Sequence, residues 1–298
     1  MIKPSYIDLY KSGELEERVE RAYQILQDCT LCPHHCHVDR SKGELGYCKT
    51  GDKIRIASFG PHFGEEEPLV GSYGSGTIFF SGCNLRCVYC QNYDISQVPA
   101  GDKVDKKELA QIMFSLQKQG CHNINFVTPS HMIHSLLAAT FEAAKKGLKI
   151  PIVYNSGGYD DLEALQLLDG VVDIYMPDLK YADEEIGLKY SKVKKYMTIV
   201  KTALKEMHRQ VGDLQIRDGL ATKGLIIRHL ILPEDLAGSE EIIKFIAQEL
   251  SPNTSVNIME QYYPAYKAKE YKEISRRITS TEFDYAIKLA KNAGLNLI

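Results

Sequence analysis

Three cysteines, Cys83, Cys87 and Cys90, stand in the stretch TIFFSGCNLRCVYCQNYDIS (77–96) with the spacing C-x3-C-x2-C. Clustered thiols of this kind point to a metal site. A cuboidal four-iron cluster needs a ligand on every iron, so a loop that supplies three sulfurs leaves one iron open for chemistry. On the residues alone, two alternatives stand beside it: a structural zinc loop whose fourth ligand lies elsewhere, or three buried thiols with no metal. The tight clustering argues against plain burial. The apolar run Thr77 to Phe80 reads as a buried strand that empties into the cysteine loop.

A second set, Cys29, Cys32, Cys36 and Cys48, has the spacing C-x2-C-x3-C-x11-C. Four thiolates within twenty residues are enough to close a site, because a C-x2-C knuckle places two sulfurs on one centre. Tetrahedral sulfur suits zinc or iron–sulfur. His34, His35 and His37 lie inside the set as substitute ligands, although a histidine beside such cysteines is more often a supporting or surface residue. Zinc is the preferred metal, since the knuckle with nearby histidines suits it. A closed site leaves no position for substrate, so this module is expected to be structural or electron-relaying. Cys121, in a helix-to-strand turn, reads as an ordinary buried thiol.

The elements that would position these residues follow a rhythm. A helix precedes Cys29, with Leu15, Val19, Ala22, Tyr23 and Leu26 at three- to four-residue steps. TGDKIRIASFG reads as an edge strand, and Glu65, Glu66 and Glu67 as a solvated charge run. Asp105 and Glu108 form a capping box that opens a helix ending near Gly120. Strands are expected at 122–127, 149–154, 171–176, 224–232 and 255–260. Helices are expected at 130–146, 161–168, 197–211, 239–250 and 281–293, with a charged stretch from Asp183 to Lys195. With the strand that carries the cysteine loop, this makes six strand–helix units, hence a parallel sheet with active groups at the carboxyl ends of its strands.

The totals set bounds. A chain of 298 residues fits one α/β core with a small appendage. A net charge of −3 argues against a nucleic-acid surface. No apolar run approaches the roughly 18 residues of a membrane span, and the first residues lack the pattern of a signal peptide. The protein is expected to be cytoplasmic, where two local clusters among eight cysteines favour metal over disulfides.

Gly82 before the first cysteine, Tyr89 before the third and the strand in front together resemble the radical S-adenosylmethionine (SAM) superfamily. The longer run PLVGSYGSGTIFFSGCNLRCVYCQNYDIS is similar to uncharacterised relatives of pyruvate formate-lyase-activating enzyme. The resemblance implies an incomplete (β/α)6 barrel, open at the side, over 71–298. Residues 1–70 then form a helix, a cysteine-rich metal module and a tether near 49–70. It implies a [4Fe–4S] cluster on Cys83, Cys87 and Cys90, whose open iron chelates SAM, and an external electron donor of flavodoxin or ferredoxin type. The reduced cluster cleaves SAM to methionine and a 5′-deoxyadenosyl radical, which abstracts hydrogen from a substrate. No catalytic residue beyond the cluster ligands is assigned.

The same resemblance marks residues at the strand ends. Val127-Thr128-Pro129 replaces the Gly-Gly-Glu of the activating enzymes, leaving backbone near Thr128 to accept the methionine ammonium. Asn155, Ser156, the Met176 carbonyl and Asp178, with Lys180, match oxygens that hold a monovalent cation beside the methionine carboxylate. On the residues alone, Asp178 and Lys180 would be a surface ion pair. Arg228 and His229 lie on one strand, so one of them points inward, and an inward Arg228 needs an anion. Gln261 and Tyr262 stand where the activating enzymes place a histidine near the adenosyl group. His131 and His134 have the i, i+3 spacing of a metal pair but are expected to be exposed helix residues. The substrate is a glycine of a glycyl-radical protein, a residue of another protein or a small molecule. The competing class is a non-catalytic iron–sulfur or zinc protein that binds a partner.

Overall fold

The computed structural model describes residues 3–98 and 100–298. Among these, two helices, α1 (Tyr6–Ser12) and α2 (Glu14–Ile25), precede the first cysteine set. The chain then forms β1 (Ile54–His62), α3 (Glu67–Val70), β2 (Ser75–Phe80), α4 (Tyr93–Ser96) and β3 (Asp102–Val104). Alternation follows with α5 (Lys106–Lys118), β4 (Ile124–Val127), α6 (Ile133–Lys145), β5 (Ile152–Ser156), α7 (Leu162–Gln166) and β6 (Ile174–Pro177). Next come α8 (Glu184–Ser191), α9 (Tyr196–Val211) and a hairpin of β7 (Gln215–Arg217) with β8 (Leu220–Leu230). Finally, α10 (Ser239–Phe245), β9 (Ser255–Met259), α11 (Ser280–Asn292) and β10 (Asn296–Leu297) lead to the carboxyl end.

One sheet runs in the order β10-β9-β8-β6-β5-β4-β2-β1-β3, with β7 beside β8. The strands β2, β4, β5, β6, β8 and β9 are parallel, which are the six expected units. The ends of the order do not meet, so the sheet is an open α/β arrangement of the partial-barrel kind. Parallel strands are covered on both faces, and β5 and β6 are buried at every residue. The Phe80 and Phe126 rings stack at 5.7 Å between β2 and β4. The helices start where the sequence marks them: both halves of the capping box are formed at Asp105 and Glu108, and again at Thr279 and Glu282.

Several expectations are corrected. β1 is not an edge strand, because β3 pairs along its start, and β1 and α3 occupy the stretch 49–70 expected to hold a tether. Tyr6, Leu15, Leu26 and Leu31 join the same buried cluster as the barrel strands. The charged stretch after β6 contains α8, capped by Asp183; its buried side is only Gly187, Tyr190 and Ser191, too small an apolar face to read from sequence. β5 extends two residues beyond the expected end, so Asn155 and Ser156 are strand residues. His131 and His134 are buried, not exposed: His131, before α6, has its Nε2 3.1 Å from Ser81 O, and His134 lies on α6, which is packed against α1, α2 and α5. Burial holds His131 neutral down to about pH 3 and keeps His134 well below the ordinary histidine range.

Candidate functional site

The loop after β2 is fastened from both sides. Ser81 N–H donates to Arg55 O at 2.9 Å and Gly82 N–H to Ile95 O at 2.9 Å. Arg86 N–H reaches Ser191 O at 2.9 Å and Val88 N–H reaches Tyr190 O at 2.8 Å. Gly82 adopts φ +85°, and a side chain there would meet Cys48 O at 2.9 Å, so the glycine is required both by conformation and by space.

Each sulfur of the loop meets a donor. Leu85 N–H points at Cys83 Sγ at 3.3 Å, the Ser191 hydroxyl lies 3.0 Å from Cys87 Sγ and the Ser96 hydroxyl lies 3.2 Å from Cys90 Sγ. Burial and the neighbouring Cys87 push the Cys83 thiol far up; burial lifts Cys87 to about 11 although Lys180 opposes it. Bare, these thiols stay protonated, and a metal must displace the protons to bind. Among the described residues no three His, Cys, Asp or Glu side chains converge on a point where one ion could sit. Three donor-supported sulfurs line one cavity of about 380 Å³, and thiolates that hold a cluster each take a different iron.

The strand ends supply the rest of this cavity. Thr128, Asn155, Ser156, Asp178, Lys180, Arg228 and Gln261 line it with Tyr89 and the three cysteines. Thr128 adopts φ +60° and its N–H donates to Asn155 O at 2.8 Å. Asp178 and Arg228 form a bridge between strand ends, with Arg228 Nε donating to Asp178 Oδ1 at 2.8 Å and Nη2 to Asn155 Oδ1 at 2.7 Å. Lys180 Nζ donates to Asp178 Oδ2 at 2.6 Å. Burial alone would raise the Asp178 carboxyl, but Arg228 and Lys180 win and hold it below the usual carboxylate range. The expected surface ion pair is therefore a largely buried one.

Two expected residues stand apart. Met176, expected to act through its carbonyl, is not among the residues that line the cavity, and its side chain packs with Leu69, Val153 and Ile226 in a separate apolar cluster. Tyr262 is buried and donates to Ile274 O at 2.6 Å. His229, the outward neighbour of Arg228, is bound to Leu179 O and Ser239 Oγ.

Residues whose burial the sequence did not mark adjoin the cavity, and Glu65 lines it. Glu65 lies 3.6 Å from Arg228 Nη1, and Glu66 is buried and accepts from Asn257 at 3.0 Å. Two of the three glutamates are thus not solvated. Burial, opposed by Arg228, raises the Glu65 carboxyl. Asp160, also buried, accepts from Ser156 Oγ at 2.6 Å and Tyr154 OH at 2.7 Å and so fixes the Ser156 hydroxyl. Only tertiary packing brings these together; an acidic run before a proline carries no local signal of burial. Tyr89 OH bonds Tyr181 OH, which reaches Ser191 Oγ at 2.8 Å, so one hydroxyl chain runs from Tyr89 to Cys87.

In the amino-terminal set, Cys29, Cys32 and Cys48 are buried and Cys36 half-buried. The three histidines are engaged elsewhere: His34 Nε2 with Asn84 O, His35 with Asp161 and His37 with Asp28, each at 2.8 Å.

A family model described as the radical SAM superfamily matches residues 77–246. The chain is 38% identical over 305 residues to the uncharacterized protein MJ0674 of Methanocaldococcus jannaschii, covering 100% of this chain and 82% of that protein. It is 27% identical over 179 residues to the uncharacterized protein MJ0808 of the same organism, covering 53% of this chain and 52% of that one. Among solved structures, Streptococcus suis SuiB bound to S-adenosylmethionine aligns with a TM-score of 0.48 and 13% identity, over 72% of this chain and 47% of that chain. This chain thus spans less than half the length of that structure.

Proposed function

The chain belongs to the radical SAM superfamily, and from that membership we propose that Cys83, Cys87 and Cys90 hold the [4Fe–4S] cluster while the strand-end residues bind SAM. The observation that carries this is the convergence of the three cysteines with Asn155, Asp178, Lys180 and Arg228 on one cavity. When bound, the cluster supplies the electron that cleaves SAM and starts radical chemistry on a substrate.

The chain's own residues have defined tasks. Ser191 and Ser96 donate to the sulfurs, and Lys180 places positive charge beside Cys87. Backbone oxygen near Thr128 is presented to an ammonium, while the Asn155 amide oxygen holds Arg228. Arg228 presents a guanidinium whose remaining N–H faces the cavity toward Glu65. Because Arg228 already occupies the Asp178 and Asn155 oxygens, we propose that a fixed guanidinium takes the place of the expected monovalent cation.

The resemblance to pyruvate formate-lyase-activating enzyme would imply a glycine of a partner protein as substrate. The residues favour a different one, since Gln261 lines the cavity and no histidine occurs in 259–264. The electron donor is a flavodoxin- or ferredoxin-type carrier. The test is SAM cleavage by the reconstituted, reduced protein. Formation of methionine and 5′-deoxyadenosine above a Cys87→Ala control supports the proposal, and its absence sinks it.

A further inference from the structure

We propose that Cys29, Cys32, Cys36 and Cys48 hold a second iron–sulfur cluster that passes electrons to the cluster at Cys83, Cys87 and Cys90. The destination of the electrons rests on the function proposed above; the metal content of the second set does not.

The first argument is charge. Arg40 is 1% exposed. Its guanidinium donates to Gly51 O at 2.7 Å, His131 O at 2.9 Å and Thr50 Oγ1 at 3.2 Å, and Nη1 points at Cys29 Sγ from 3.8 Å. Among the described residues no carboxylate pairs with it. A buried cation without an anion costs several kcal/mol, and a thiolate-ligated metal centre carries the missing negative charge. Two of the sulfurs meet donors: Tyr47 N–H donates to Cys36 Sγ at 3.2 Å and the Thr50 hydroxyl lies 3.0 Å from Cys48 Sγ. Gly46 leaves Cys36 its space, since a side chain there would stand 3.0 Å from the sulfur.

The second argument separates iron from the zinc preferred on sequence. The donor set is four sulfurs, Cys29, Cys32, Cys36 and Cys48, the all-sulfur ligation that an iron–sulfur cluster takes. The histidines that made zinc attractive are bound elsewhere.

The third argument is wiring. His34 Nε2, two residues from Cys32, meets Asn84 O, next to Cys83, at 2.8 Å. Tyr47, whose N–H binds Cys36 Sγ, accepts from the Arg86 guanidinium through its carbonyl, and Arg86 adjoins Cys87. The Cys48 carbonyl packs on Gly82, which adjoins Cys83. On its outer side Cys48 borders a cavity of about 310 Å³ rimmed by Lys49, Lys53, Arg55 and Lys103, with Asp52 the one acid in its lining. That charge suits an acidic carrier. The step is one electron: a reduced low-potential flavodoxin- or ferredoxin-type carrier is oxidised as the outer cluster is reduced. The outer cluster is then re-oxidised as the inner one is reduced, with no proton or atom transferred.

The test uses the full chain, reconstituted without oxygen. About eight irons and no zinc are expected in the wild type and about four irons in the triple variant C83A/C87A/C90A. One zinc per chain, or an iron-free triple variant, overturns the second cluster. For the relay, SAM cleavage is driven in parallel by reduced flavodoxin and by dithionite, and C32A/C36A should lower the ratio of the two rates by about tenfold. An unchanged ratio means the module is structural and overturns the relay. If that variant does not fold, the dithionite-reduced wild type decides by electron paramagnetic resonance: spin coupling between two clusters is expected, and two uncoupled signals refute it. Failure of the wild type to cleave SAM would refute the proposed function and leave the iron counts to judge the second cluster.

Discussion

Arg228 and Asp178 meet at 2.8 Å through Nε and Oδ1, and the same guanidinium reaches Asn155 Oδ1 at 2.7 Å. One side chain thus ties the ends of β8, β6 and β5, neighbours in the sheet. A lysine keeps the charge but cannot make both contacts, because its ammonium is a point donor without the guanidinium fork. Arg228→Lys and Asp178→Asn should each weaken SAM binding by about 1–3 kcal/mol, roughly five- to a hundredfold, while leaving the iron content at wild-type level. Calorimetric titration of the cluster-loaded proteins checks this; an unchanged dissociation constant would reduce the pair to a structural strut.

Ser191 tests whether the sulfur donors tune the cluster. Its hydroxyl lies 3.0 Å from Cys87 Sγ and is itself held by Tyr181. Donors to cluster sulfurs raise the reduction potential. Ser191→Ala should keep the iron and lower the midpoint. A hydrogen bond worth about 1 kcal/mol corresponds to roughly 40 mV for a one-electron couple. A redox titration that finds no shift would show that Ser191 only packs against the loop.

The contrast between these residues and Glu65 shows what the sequence could reveal. Cys83, Cys87 and Cys90 announce themselves because their spacing is local, and Asp178 and Arg228 because they interrupt apolar strands near their ends. The strand–helix rhythm was legible for the same reason, since apolar periodicity is a local property. Glu65 joins the site only through the turn after β1, which the antiparallel pairing of β1 with β2 carries to the cavity. His134 is buried against sequence expectation because α1 and α2, which pack on α6, are distant from it in sequence. β10, two residues long, exists only because β9 offers it an edge.

Buried neutral histidines make stability depend on pH in one direction. His131, His134 and His229 are all lowered by burial. A lowered folded-state pKa means the unfolded chain binds the proton first. The stability these residues contribute is therefore full above the unfolded value of about 6.5 and is lost as pH falls below it. A histidine that stays neutral in the folded protein costs at most about 1.4 kcal/mol per pH unit in that window. Urea unfolding at pH 7.5 and 5.5 measures the slope. His229→Gln, which keeps a polar group between Leu179 O and Ser239 Oγ, should flatten it by about a third of the three-histidine total. A slope identical to wild type would mean His229 is charged in the folded protein.

Two glycines of like conformation separate backbone strain from site geometry. Gly13 has φ +88° and open space where a side chain would stand. Gly158 has φ +76°, and a side chain would lie 2.3 Å from Asp178 O. That carbonyl accepts from Tyr196 OH at 3.2 Å, and Asp178 N–H donates to Ser156 O at 2.9 Å, so the turn after β5 and the end of β6 are pressed together. Gly13→Ala should cost only the left-handed strain, about 1–2 kcal/mol, with SAM affinity unchanged. Gly158→Ala adds an overlap that backbone must yield to, a further 1–3 kcal/mol or more, and the yielding moves Asp178 away from Arg228. Its SAM affinity should therefore fall along with its stability. Equal losses of stability in the two variants, with SAM bound equally well by both, would show that the contact of Gly158 with Asp178 does not position the site.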